Sequence, residues 1–130
     1  MLQIRLTSIM VEDQSKALAF YTDVLGFVKQ LDFPVSGPFR WITLSAPNAP
    51  DVQLALEPNE NPAGKTFQKA LFEQGIPYTA FHTDDIDAEY KRLVERGVAF
   101  TSPPKDMGPV KAATFSDTVG NLIQIYQPTT

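Results

Sequence analysis

The chain has 130 residues, of which 43% are hydrophobic, so it can bury the core of one domain but hardly of two. Its 11 Lys plus Arg and 15 Asp plus Glu give a formal net charge of -4. This balance argues against a nucleic-acid partner, because phosphate backbones are bound by clustered basic residues. The absence of cysteine excludes disulfides, thiolate zinc sites, iron–sulfur clusters and a cysteine nucleophile.

The first predicted elements run from a strand to a helix and then to three further strands. Alternating residues over 2–11 predict the first strand, and Asp13 or Ser15 offers the cap of a helix over 15–25 that ends at Gly26. Three strands separated by proline-rich turns then follow, over 27–33, 39–44 and 52–57.

The second half repeats this order of elements. A strand over 78–83 is followed by Asp85 as a cap and by a helix whose apolar face ends before Gly97. The last three strands are predicted over 98–101, 110–115 and 122–126. We therefore expect an α+β fold in which a single domain, 1–130, consists of a first βαβββ module (1–57), a linker with a short helix (58–76) and a second βαβββ module (77–130).

The two halves also match residue by residue. The segment Gly37–Leu44 aligns with Gly108–Phe115 at an offset of 71, so that glycine, proline and threonine coincide. Offsets of 72 and 70 pair Thr7 with Thr79 and Leu54 with Gln124. Self-similarity in the same element order indicates an internal repeat, with chance similarity between two β-rich stretches as the alternative.

Alternation along the strands predicts which side chains face away from the helices. Ile9, Val11, Phe81 and Thr83 are expected beneath the helices. The opposite faces should then carry these residues: Leu6, Ser8, Met10, Val52, Leu54, Leu56, Tyr78, Ala80, His82, Leu122, Gln124 and Tyr126. Two such curved sheets facing each other would form a partly apolar cup suited to a small molecule, although a packed core or a dimer interface is the alternative.

Three segments resemble one known family. They are Ile9–Asp13, the run Ala19-Phe20-Tyr21-Thr22-Asp23-Val24-Leu25-Gly26-Phe27, and the closing Asp117–Gln124. The chain resembles the vicinal oxygen chelate superfamily, which includes glyoxalase I, bleomycin-resistance proteins and extradiol dioxygenases. The resemblance implies paired βαβββ modules that form a cup, commonly completed by homodimerisation.

The resemblance also implies where a divalent metal would be held. Its ligand positions, at the first and last strand of each module, fall on Leu6, Leu54, Tyr78 and Gln124. Gln124 can offer an oxygen, whereas leucine has no lone pair and neutral tyrosine is a poor ligand for such an ion. We therefore expect no metal cofactor, with a divalent metal as the alternative.

A few other side chains could contribute chemistry. His82 is the one histidine of the sequence and could act as a general base or orient a ligand, or be structural. Trp41, with Phe33, Phe39 and Phe115, offers aromatic area for a flat ligand. Arg40 and Lys111 occupy equivalent repeat positions and could attract an anion or be solvated. The acidic residues Asp84, Asp85 and Asp87 are better explained as helix capping.

The sequence thus predicts a glyoxalase/bleomycin-resistance-like protein that binds a small, partly hydrophobic molecule in a metal-free cup. The expected ligand-binding residues are Met10, Trp41, Leu54, Tyr78, His82, Gln124 and Tyr126, and no catalytic residue can be named. Alternatives are a metal-dependent lyase, isomerase or dioxygenase using His82, Gln124 or Glu57, and an interaction module. The resemblance implies a homodimer, and we expect it to be cytoplasmic with no membrane partner, because no signal peptide or apolar span occurs.

Overall fold

The computed structural model describes residues 1–129, which divide into two compact units, one up to residue 66 and the other from residue 67 onward. Each unit contains a four-stranded mixed sheet, which confirms the predicted α+β fold with two βαβββ modules. The elements of the first half are β1 Leu6–Val11, α1 Gln14–Ala19 continued by a π-helical turn Phe20–Val24, β2 Val28–Ser36, β3 Phe39–Ala46 and β4 Ala49–Pro58. Those that follow are α2 Pro62–Glu73, β5 Thr79–His82, α3 Ile86–Glu95, β6 Phe100–Asp106, β7 Val110–Ser116 and β8 Leu122–Pro128.

The two sheets have the same topology. The first has the strand order β1-β4-β3-β2 and the second β5-β8-β7-β6. In each, the first and last strands of the module pair in parallel and the other neighbours are antiparallel. The first strand is shorter than predicted, since β1 begins at Leu6 rather than at residue 2, whereas α2, Pro62–Glu73, lies within the segment 58–76 for which a short helix was expected.

Both module helices begin at an aspartate, as expected. The Asp13 carboxylate accepts a hydrogen bond from the backbone N–H of Lys16, and Asp85 accepts one from that of Ala88. Each satisfies a backbone N–H that has no partner within its helix. The helices α1 and α3 end near Gly26 and Gly97, whose φ angles of 94° and 85° favour glycine.

One face of each sheet is buried beneath its helix. Packed there are aliphatic and aromatic side chains that lose nearly all contact with solvent, each worth roughly 1.5–3 kcal/mol when fully buried. In the first unit they are Ile9, Val11, Ala17, Tyr21, Ile42, Leu44 and Leu56, and in the second Ile86, Leu93, Val98, Ala113, Phe115, Ile123 and Ile125.

Glutamine side chains connect each helix start to its sheet. The Gln14 amide donates to the carbonyl oxygens of Arg40 and Leu56 and accepts from the Arg40 N–H. In the second unit the direction is reversed, since Gln127 of β8 accepts from the N–H of Ile86. Both connections satisfy backbone N–H or carbonyl groups and so fix the start of each helix against a strand of its sheet.

A buried polar loop joins β7 to β8. Asp117 accepts hydrogen bonds from the backbone N–H groups of Val119 and Asn121 and from the Asn121 side-chain amide. Gln68 of α2 donates to the side-chain oxygen of Asn121 at 3.0 Å. Asp117, Asn121 and Gln68 are all buried, so the Asp-x-x-Gly-Asn pattern of the sequence serves to build this loop.

The ion pair between Asp32 and Arg40 ties β2 to β3 and generates a pH prediction. Arg40 donates Nε to Oδ1 and one terminal nitrogen to Oδ2 of Asp32, both at 2.9 Å. This hydrogen bonding holds the pKa of Asp32 below its ordinary value of 3.8, against the opposing effect of burial. Because the folded-state pKa is lowered, the pair stabilises the fold above that ordinary value and loses its effect as the pH falls through the lower folded-state pKa.

We therefore expect Asp32→Asn to destabilise the protein at neutral pH and to differ progressively less from the wild type below pH 3.8. Urea unfolding at a series of pH values measures this difference. Glu60→Gln, at an exposed carboxylate, is the control and should run parallel to the wild type. A wild-type advantage that is independent of pH would contradict the assignment.

Candidate functional site

The face of the first sheet opposite α1, here called the first open face, is defined by the pairing of β1 with β4. Leu6 lies beside Gln53, Ser8 beside Ala55 and Met10 beside Glu57. Residues paired in this way point to the same side of a sheet.

The predicted facing of Val52, Leu54 and Leu56 is therefore wrong. Leu56 lies beside Ile9, and Leu54 beside Thr7 and Leu44, all on the side covered by α1. Leu54 thus has no place on the open face, and its predicted ligand contact loses its geometric basis.

The physical reason is the length of one hairpin. Thr43 pairs with Ala55, 12 residues later, whereas its repeat mate Thr114 pairs with Gln124, only 10 residues later. The structural counterpart of Gln124 is consequently Ala55 and not Leu54. An offset that is wrong by one residue reverses the facing of a whole strand.

A pocket of about 370 Å³ lies on the first open face. Its size falls within the range of small-molecule sites. Trp41 from β3 and Leu6 from β1 supply apolar surface, and Thr43 and Gln53 add polar groups. The lining residues are Arg5, Leu6, Leu31, Trp41, Thr43, Pro50, Asp51 and Gln53.

Of the predicted ligand residues, Trp41 lines this pocket and Met10 shares its sheet face. The Met10 sulfur lies against Gly64 in the first turn of α2, where an added Cβ would come within 2.5 Å of it. Met10 therefore packs under the start of α2. Sequence reasoning missed Thr43, although alternation from Trp41 two residues earlier would have placed both on one face.

Thr43 is an unusual member of this lining. It is 1% exposed, and in residues 1–129 its Oγ1 is the one buried side-chain polar atom that finds no hydrogen-bond partner. Its cross-strand neighbours are apolar: Leu31 on β2 and Ala55 on β4. Ser45, the next residue on the same face, already accepts a hydrogen bond from Gln30.

Four predicted residues, Tyr78, His82, Gln124 and Tyr126, lie along the open face of the second sheet. Gln124 lies beside Ala80, and Tyr126 beside His82. The His82 and Tyr126 rings meet edge to face with centroids 5.7 Å apart, and the Tyr78 ring meets that of Phe67 at 6.0 Å. His82 is half-exposed, with Nε2 3.7 Å from the Asp84 carboxylate.

Other candidate residues lie elsewhere. Arg40 binds Asp32 and donates to Ser15 Oγ, and Lys111 binds the Asp87 carboxylate at 2.9 and 3.0 Å. Both cations thus connect the sheet to a helix and are already paired, which removes the basis for an anion site. Phe115, expected near the mouth of the cup, is fully buried against Phe100.

The donor set does not fit the divalent metal that the family resemblance implies. The four implied positions become Leu6, Ala55, Tyr78 and Gln124 after the register is corrected. Leucine and alanine have no donor atom, and one amide oxygen cannot replace a set of three or four ligands. In the described part of the chain, no three His, Asp or Glu side chains come together as a metal site would require.

The two βαβββ modules, together with the pocket on an open sheet face, indicate the class of proteins to which the chain belongs. The chain belongs to the Glyoxalase/Bleomycin resistance protein/Dioxygenase superfamily, whose family model matches residues 3–125. This confirms the family to which the sequence was assigned by resemblance.

Relatives match the chain over nearly its full length. The uncharacterized protein YurT of Bacillus subtilis is 54% identical, with 97% of this chain and 99% of YurT covered. The crystal structure of TnmS3, an antibiotic binding protein from Streptomyces sp. CB03234, is 33% identical with a TM-score of 0.79, covering 99% and 98% of the two chains. A superfamily member from Sphaerobacter thermophilus is 34% identical with a TM-score of 0.75 and 98% coverage of both chains.

Among the described residues, no helix has the length and apolar character needed to cross a membrane.

The corrected register generates a prediction about neighbouring residues of β4. Leu54→Ala removes apolar contact from the helix-covered side and should lower the free energy of unfolding by about 2 kcal/mol. Gln53→Ala alters the open face and should change it by at most about 0.5 kcal/mol. Urea unfolding of both variants measures the difference, and equal effects would contradict this facing.

Proposed function

We propose that the protein binds a small, partly hydrophobic molecule on its open sheet faces and needs no metal to do so. The observation that carries the proposal is the pocket of about 370 Å³ lined by Trp41. An indole beside aliphatic side chains gives a large contact area, and a few polar groups fix the orientation of a ligand. The likeness to TnmS3, described as an antibiotic binding protein, supports the same kind of ligand.

The pocket combines apolar walls with polar groups of both kinds. Leu6, Leu31 and Pro50 surround Trp41, while Gln53 offers an amide that can donate and accept. Arg5 and Asp51 bring charges of both signs to the same lining, so the pocket carries no net charge of its own. We expect it to favour a neutral, flat molecule over an anion.

Residues of the second open face are proposed as further ligand contacts. Tyr78, Gln124 and Tyr126 present aromatic and amide groups on the side of that sheet opposite α3, and His82 stands beside Tyr126. Such groups hold a partly polar ligand by stacking and hydrogen bonding. No residue is assigned a catalytic role.

Homodimerisation is part of the proposal. Leu6, Leu31 and Phe33 on the first open face are 53%, 44% and 48% exposed. Exposed apolar side chains that share one sheet face are typical of surfaces covered in an assembly.

A second candidate function is a metal-dependent enzyme with an atypical site. The observation in its favour is that Glu57 lies beside Met10 on the first open face. Gln124 and His82 likewise share the second open face. Carboxylate, amide and imidazole are all capable ligands for a divalent ion.

The binding function predicts a fluorescence response. Trp41 is the one tryptophan of the chain, so its emission reports directly on the pocket. A library of neutral aromatic compounds should contain members that shift or quench this emission and give a saturable heat by calorimetry. Trp41→Ala should weaken them by about 10-fold or more.

The control variant is Phe72→Ala, at an exposed residue of α2, which should bind as the wild type does. Sedimentation equilibrium on the same samples should give the mass of a dimer. A library with no saturable ligand, or ligands indifferent to Trp41→Ala, would overturn the proposed site.

The enzyme alternative predicts a bound metal. Protein purified without chelator should then contain Zn, Ni, Fe, Mn or Co near one equivalent per chain by elemental analysis. His82→Leu and Gln124→Leu, on the same sheet face, should each weaken the binding of that metal by about 10-fold or more. We expect instead substoichiometric metal that is unchanged in both variants.

A further inference from the structure

Thr43 poses an energetic problem at the centre of the first sheet. A buried hydroxyl without a hydrogen bond has lost its hydrogen bonds to water and gained none within the protein, which lowers the free energy of unfolding. Buried side-chain polar atoms in folded proteins are nearly always paired. The Thr43 Oγ1 has no such pair, whereas valine would fill the same space without that cost.

The surroundings leave no partner within the sheet. Leu31 and Ala55 flank Thr43 on its two neighbouring strands, and Ser45 is engaged by Gln30. The side that remains is the pocket, whose lining includes Thr43 together with Trp41. A molecule in the pocket is therefore the available source of a hydrogen-bond partner.

We infer that Thr43 is a specificity-determining residue, which selects planar apolar ligands that carry a hydrogen-bonding oxygen or nitrogen at the inner end. This inference rests on the proposed binding function and adds the ligand class. The indole of Trp41 provides the flat contact, and the hydroxyl of Thr43 donates to or accepts from the inner polar atom. A ligand with a methyl group at that position leaves the hydroxyl unpaired and binds less tightly.

The test uses two matched probes and one isosteric variant. A hydroxycoumarin in its neutral form and a methylcoumarin of the same shape are titrated against the full-length protein, with Trp41 emission and calorimetry as readouts. The wild type should prefer the hydroxycoumarin by about 10-fold. Thr43→Val should abolish this preference by weakening the hydroxycoumarin and sparing the methylcoumarin.

A second readout separates ligand recognition from a structural role. Thr43→Val removes an unpaired buried hydroxyl, so its thermal midpoint without ligand should equal or exceed that of the wild type. A lowered midpoint would mean that the hydroxyl has a structural partner and would overturn the inference. Thr7→Val, on the helix side of β1 and exposed, is the matched control and should retain the preference.

The outcomes distinguish the inference from the function on which it rests. If both probes bind equally and Thr43→Val changes neither, the specificity role is wrong while the binding site stands. If neither probe binds, this ligand class is wrong, and the broader library with Trp41→Ala decides whether the pocket binds anything.

Discussion

The register of the last strand in each module is the constraint on which the rest of the structure depends. Each sheet has one side covered by a helix and one side open, and successive residues alternate between them. Once β4 is held by β1 on one edge and β3 on the other, the choice between core and ligand surface is fixed for every residue of the strand. The pocket exists because this register turns Gln53 and Ala55 outward and Leu54 inward.

The duplicated modules retain the places where helix and sheet are joined but change the chemistry at those places. Arg40 reaches Ser15 at the start of α1, and its repeat mate Lys111 reaches Asp87 at the start of α3. In the first module the neutralising carboxylate comes from Asp32 on β2, whereas in the second the helix supplies it. The two open faces have also diverged, with an indole on one and an imidazole on the other.

Much of the fold could be predicted because its signals are local. Caps at Asp13 and Asp85, left-handed glycines after the helices and alternation within strands each depend on a few adjacent residues. The facing of β4 was not predictable in this way. Leu54 and Ala55 are both apolar, so neither alternation nor composition reveals which of them is covered, and the answer depends on a hairpin two residues longer than its repeat mate. Within residues 1–129, the Thr43 hydroxyl has no partner because of the residues that flank it on β2 and β4. Which residues become neighbours across three strands cannot be read from the sequence pattern of one strand.

The segment that connects the modules is more ordered than the linker that its composition suggests, because most of it forms α2. Gln68 is buried against the loop that precedes β8, and Phe67 packs on Tyr78, so α2 from Phe67 onward is built into the second compact unit. A cut of the chain at or beyond Gln68 would therefore strip the second fragment of a side chain that its closing loop requires, so two complementing fragments would have to be divided ahead of Phe67, within the first turns of the helix itself.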